Sequence, residues 1–292
     1  MQEKSTPSTG AGPHNLSVPV EDSPTATILI ATFFLSVPFV MLLIIAWRGH
    51  RTPSEDYLRA VRESARPELS HVSHRLVSVP LDEPTSVVTW TRRSQVSNYE
   101  GETTPQDRDT WVTVVPFLKN FCRDYVKLRH ADPMQLTLRL KQRLGLPLVS
   151  NYDTFVELAV DPKDLSKFFR PCGDPSPDTN TCQPASPPKP TDIDNDLGAA
   201  NNKDKNGQPK ESKEKKMQGI QSWYWFLDKY YTSFATESPY PWTSLGYTFD
   251  WAPKEDGSEE FVRWGESEFV IAPGTPIQFR SATDTVAYCS PQ

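Results

Sequence analysis

TATILIATFFLSVPFVMLLIIAW, residues 25–47, runs for 23 residues without a charged side chain. About 20 apolar residues cross a hydrocarbon core of roughly 30 Å as a helix, so this stretch predicts a single transmembrane helix. A cleavable signal opens with positive charge and carries an apolar run of about 7–15 residues. Here 24 residues rich in Ser, Thr, Pro and Gly come first, and Ala46-Trp47-Arg48 is a poor cleavage site. A core helix is rarely apolar on every face. Pro38 is tolerated inside a bilayer, and Trp47 ends the run as an interfacial anchor does. The expected localisation is therefore a single-pass membrane protein, with the membrane as a partner through residues 25–47.

Two signals disagree on the side that the rest of the chain faces. Arg48, Arg51, Arg59 and Arg62 follow the span while only Lys4 precedes it, which favours the cytoplasm. All four cysteines, Cys122, Cys172, Cys182 and Cys289, also follow it. Cys172 and Cys182 bracket a polar loop, as a disulfide does, and disulfides persist in oxidising compartments. The cysteines tip the reading to an extracytoplasmic domain. Cys122 and Cys289 form the other candidate pair, joining a helix to the last strand, although four cysteines permit three pairings.

After the span, 30 basic and 34 acidic residues remain. That balance gives no basic face to displace counterions, so nucleic acid is not an expected partner. The 28 prolines are about twice the usual share and gather in connecting stretches. Residues 1–24 read as a disordered tail and 48–70 as a juxtamembrane stalk with a short helix opened near Ser54. Residues 173–216, rich in Pro, Asp, Asn and Lys, read as a disordered insertion or linker. They divide one α+β domain into a first part, 71–172, and a second part, 217–292.

Within the first part, HRLVSVPL, SVVTWTRR, DTWVTVV and FVELAV carry the β-branched and aromatic residues of strands. FLKNFCRDYVKLRH follows Pro116 and places Phe117, Phe121, Tyr125 and Leu128 on one helical face. The next helix is bounded by Asp132 as cap, Pro133 in the first turn and Gly145 beyond the end, with Leu136, Leu140 and Leu144 in line. The two predict a helical hairpin. Asp161-Pro162 predicts a further short helix through Phe168 and Phe169. In the second part a helix restarts at Gln218, with Ile220, Trp223, Tyr224, Leu227, Tyr231 and Phe234 on one face. The chain then predicts a small C-terminal antiparallel sheet, two of its strands flanking a turn at Pro273-Gly274-Thr275.

No motif in the chain carries catalysis, and none calls for a cofactor. His71 and His74 make an incomplete metal set, and Val72, Leu76 and Val77 around them favour a strand that turns the two apart. Cys122 and His130 stand about 12 Å apart on one helix, too far for a thiol and its base. Asp192, Asp194 and Asp196, and then Asn202, Asp204 and Asn206, imitate the start of a calcium loop but lack its closing glutamate. Glu100, Glu102, Asp250, Glu255, Asp256, Glu259 and Glu260 supply carboxylates with no spacing that pairs two across a cleft.

The aromatic residues are the positive signal. Residues 223–264 hold 14 of the 32 aromatics and five of the eight tryptophans. Tyr240, Trp242 and Trp251 are the candidate binding surface, with Pro239 and Pro241 expected to hold the first two exposed. The function this supports is a membrane-tethered, non-enzymatic interaction domain that shows an aromatic surface to a protein partner. A glycan or cell-envelope binder that stacks sugars on the same rings is the alternative. A tethered hydrolase with a scattered carboxylate site is the third.

Overall fold

The computed structural model describes residues 52–186 and 213–291. They form a mixed α+β body around one curled, seven-stranded antiparallel sheet. Helix α1 (Pro53–Ser64) opens on a capping box in which Thr52 and Glu55 satisfy each other's backbone N–H groups. Strands β1 (Thr85–Thr91) and β2 (Thr110–Val114) follow, then helices α2 (Phe117–Arg129) and α3 (Pro133–Arg143). Next come β3 (Thr154–Val160), the two-residue β4 (Phe168–Phe169) and helix α4 (Lys213–Phe234). Strands β5 (Tyr247–Pro253), β6 (Phe261–Ile271) and β7 (Ile277–Asp284) lead to a last helical turn, α5 (Thr285–Tyr288).

The sheet runs β4-β6-β2-β1-β3-β7, with β5 also on β6. Its curl follows from one short connection. β6 and β7 stand four places apart, about 19 Å across a flat sheet. Only residues 272–276 join them, and Gly274 turns there with φ +69°. Fully extended, so few residues span at most about 20 Å. A bent connection reaches only because the sheet rolls its ends towards each other.

Both faces are covered, which is why β3 and β5 are buried along almost their whole length. One face carries Val87, Val112, Leu158, Phe269 and Ile271 and is filled by Val79, Val96, Tyr99 and Phe168. The other carries Val88, Trp90 and Phe155 and packs against Leu118 and Cys122 of α2, Leu136 and Leu140 of α3, and Tyr288. A third cluster sets Tyr57, Ala60 and Val61 of α1 against Phe249, Trp251 and Phe261. The cysteines pair as Cys122–Cys289 and Cys172–Cys182. The first ties α2 to the chain end. The second closes a loop whose carbonyls, with those of Val77 and Gly246, hold the fully buried Arg170 guanidinium.

Several expectations are corrected. Among the described residues no helix is long and apolar enough to cross a membrane. Their helices are amphipathic and spend one face on the body, and even the 22-residue α4 begins Lys-Glu-Lys-Lys. The single transmembrane helix and the membrane localisation, with its extracytoplasmic domain, are therefore not supported. The 25–47 stretch on which they rested lies outside the described residues, as do the 1–24 tail and residues 187–212 of the expected insertion. Residues 173–186 of that insertion are packed, held by Leu76 N–H to Asn180 O and Val79 N–H to Pro177 O. HRLVSVPL is thus an extended segment along that loop, outside the sheet.

The helical hairpin has the expected cap, Asp132 accepting from the N–H groups of Met134 and Gln135. The apolar face of α2 is rotated by about one residue. Leu118 and Cys122 are buried, while Phe117 and Leu128 are exposed, because the disulfide draws Cys122 to the centre of the contact. Phe168 and Phe169 form a strand beside β6, where Asp161-Pro162 predicted a helix. No separate C-terminal sheet exists among the described residues: β6 joins β2 and β7 joins β3, on either side of the first three strands.

Candidate functional site

Strands β1 and β2 pair only through Val87–Val114 and Val88–Thr113. Continuing that register would set Trp90 beside Trp111, and instead the strands part. β1 keeps its pairing to β3 as far as Thr91, and β2 keeps its pairing to β6 back to Thr110. A cavity of about 650 Å³ occupies the fork. Its walls are Val88 to Arg92, Asp109 to Thr113, Leu144 to Leu146, and Glu268 on β6. Tyr240, Pro241, Trp242 and Lys229 close it from above the sheet. Its size is that of an ordinary small-molecule site.

Tryptophans build the closing wall. The rings of Trp111, Trp225 and Trp242 lie mutually 6.0–6.4 Å apart, and Trp242 meets Phe226 at 5.1 Å. Helix α4 is anchored there by charge. Lys229 Nζ and Trp225 Nε1 both reach Asp109 Oδ2 at 3.0 Å, closing the rim over the end of β2.

Cross-strand register sets the polar floor. Glu157 lies opposite Val88, Val88 opposite Thr113, and Thr113 opposite Glu268. Directly opposed residues share a face, so one row crosses β3, β1, β2 and β6 with a carboxylate at each end. Glu157 is neutralised by Lys119 Nζ at 3.0 Å. Glu266, two residues along from Glu268, receives Arg143 Nε at 2.7 Å. Asp250 is fully buried and accepts a bidentate pair from Arg139 at 2.8 and 2.9 Å. Glu268 has no such cation among the described residues. Among those residues its one neighbour of hydrogen-bonding chemistry is the neutral Trp242 indole N–H, and the buried Thr113 hydroxyl across the strand pair has no hydrogen-bond partner. Burial pushes the Glu268 carboxyl up to about 8, and the neighbouring Trp242 indole offsets this only in part. Unpartnered buried polar atoms are rare in native folds, and here the Thr113 hydroxyl is one, opposite a buried carboxyl that holds no cation.

The expected site residues fare unevenly. Tyr240 is 39% exposed at the cavity edge, whereas Trp242 is buried at 6% and Trp251 completely. The Pro239–Trp242 segment does not stand out from the body. Tyr240 N–H donates to Ser233 O, Trp242 N–H donates to Tyr240 O, and Trp242 bridges to Thr248, which folds the indole beneath α4. Trp251 is core, edge-on to Tyr57 at 5.5 Å. His71 sits in a 3-10 turn 3.9 Å from Glu68, and no cluster among the described residues has the makings of a metal site. The calcium-loop segments lie outside the described residues. None of the seven carboxylates singled out in the sequence lines the cavity. Glu268 was missed, yet alternation in Glu266-Ser267-Glu268-Phe269-Val270 marks an acid pointing to a covered face of a central strand. No protein-family model, curated protein or solved structure matches the chain.

Proposed function

We propose that this protein is a non-enzymatic recognition domain that takes a small organic ligand into the cavity between β1 and β2. One observation carries the reading: an aromatic-walled space of ligand size lined by the buried Glu268, which holds no cation among the described residues, and by the buried Thr113 hydroxyl across from it. A ligand with an apolar body and one or two polar atoms satisfies both at once. With Trp242 and Trp251 buried, a flat aromatic surface for a protein partner loses its support. The hydrolase reading fares no better. Asp109 and Glu268 both line the cavity, but Asp109 stands four residues from Thr113, the partner of Glu268, or about 13 Å along the strand. Asp109 is moreover already held by Lys229 and Trp225, which leaves it no free role as an acid or a base. A sugar ring remains one ligand of the proposed class, because Asp109 and Arg108 stand beside the aromatic walls.

The test is a screen of amines, aromatic alcohols, monosaccharides and small amides by intrinsic tryptophan fluorescence and thermal shift. The native chain is compared with Thr113→Met, which fills the cavity floor. Saturable binding to the native chain and its loss in the variant are expected. Hits that bind both equally, or none at millimolar concentration, overturn the reading.

A further inference from the structure

β3, β5 and β6 present four carboxylates to the helix-covered side, Glu157 half-buried and the other three buried, and three of the four hold a basic side chain of α2 or α3. Glu157 takes Lys119, Glu266 takes Arg143, and Asp250 takes Arg139. Glu268, the fourth, faces the cavity instead. The lining itself supplies no replacement. Lys229 is committed to Asp109 at 3.0 Å, Arg108 to Gln95 at 2.9 Å on the rim, and Arg92 stands exposed beyond the end of β1, four residues along from Val88. Beside the acid stand the Trp242 indole, whose N–H favours the ionised carboxylate, and the Trp111 ring, and aromatic rings of this kind attract cations to their faces. From these observations we infer that the ligand is an organic cation, an amine or ammonium, whose charged head occupies beside Glu268 the place that Lys or Arg takes at the other three carboxylates. Its apolar body then lies against the tryptophans. The inference rests on the cavity being a ligand site.

Chemistry separates this from a neutral ligand. A carboxyl that is protonated in the empty site must ionise to pair with a cation, so binding at pH 7 releases a proton to solvent. The charged groups facing Glu268 from neighbouring elements are Arg143 with Glu266, Arg139 with Asp250, Lys119 with Glu157 and Lys229 with Asp109. Each pair is already formed. The proton therefore comes from Glu268, and affinity for a permanently charged ligand rises about tenfold per pH unit from 6 to 7.5.

The experiment is calorimetry on the full chain with tryptamine and benzyltrimethylammonium, against tryptophol and 2,2-dimethyl-3-phenylpropan-1-ol as uncharged counterparts. Titrations run in two buffers of different ionisation enthalpy, on the native chain, Glu268→Gln and Thr113→Met. The inference expects at least tenfold preference for the cations, proton release on binding, and loss of that preference in Glu268→Gln. Glutamine keeps the shape of the protonated side chain, so this variant folds. Thr113→Met weakens cations and alcohols alike. If alcohols bind the native chain as well as cations do, and Thr113→Met blocks them, the cavity reading stands and the cation is excluded. If the cations bind but Glu268→Gln binds them equally, the assignment to Glu268 is wrong. If none of the four probes binds, the inference fails together with the reading beneath it.

Discussion

Glu268 shows what one side chain carries when its strand is covered on both faces. A carboxyl whose folded value is about 8 prefers the protonated form, whereas the unfolded chain ionises near 4.3. Between those values the unfolded state binds fewer protons than the folded one, so stability falls as pH rises. The penalty is absent below about pH 4 and complete above about pH 8, growing by about 1.4 kcal/mol per unit within the window. Glu268→Gln removes it. The variant is expected to melt close to the native chain at pH 4.5 and several degrees above it at pH 8, as thermal unfolding followed by circular dichroism will show. Equal melting temperatures across that range would mean that the carboxylate has a partner in solution. Sequence alone offered only the alternation that turns Glu266 and Glu268 to the same face. It did not offer the difference between them, because Arg143 arrives from α3, more than a hundred residues away.

Elements with strong local chemistry were legible. Asp132-Pro133 starts α3 and Gly145, at φ +65°, follows its end, since cap and turn residues act through their own backbone. Strands β1, β2 and β3 were likewise marked by their β-branched runs. Asp161-Pro162 misled, because Phe168 and Phe169 gain more by pairing with β6 and stacking on Phe269 at 5.1 Å than a short exposed helix would return. The disulfides act at this scale too. Cys122–Cys289 closes a loop of 167 residues and Cys172–Cys182 one of 10. Chain entropy makes the first worth roughly 5 kcal/mol and the second roughly 3 kcal/mol. Urea unfolding is expected to show a larger loss of stability for the Cys122→Ala/Cys289→Ala pair than for Cys172→Ala/Cys182→Ala. The reverse order would show that the short loop, with Arg170 inside it, is the stronger tie.

At the scale of the whole molecule, α4 is the cover of the cavity. Its grip on the sheet passes through Asp109, which holds both Lys229 and Trp225. Asp109→Ala is expected to raise amide exchange across residues 223–234 by tenfold or more while leaving β1, β3 and β6 protected, as hydrogen-exchange mass spectrometry resolves. Unchanged exchange in α4 would place its anchorage in the aromatic contacts of Trp225 and Phe226 with Trp242 alone.

The division between what the chain spells out and what folding adds runs along interaction range. Helix caps, turn glycines, the hairpin of α2 and α3, and the class of mixed α+β body come from neighbours within a few residues, and they stand in the sequence. The order of strands, the fork between β1 and β2, the burial of Trp242 and Trp251 and the placing of Glu268 away from the basic side chains of α2 and α3 come from residues far apart in the chain. Composition marked 223–264 as aromatic, but which rings face a cavity depends on where α4 lands and how β6 and β7 part around the first three strands. Those choices are made by packing and cross-strand register, whose partners a linear reading does not name.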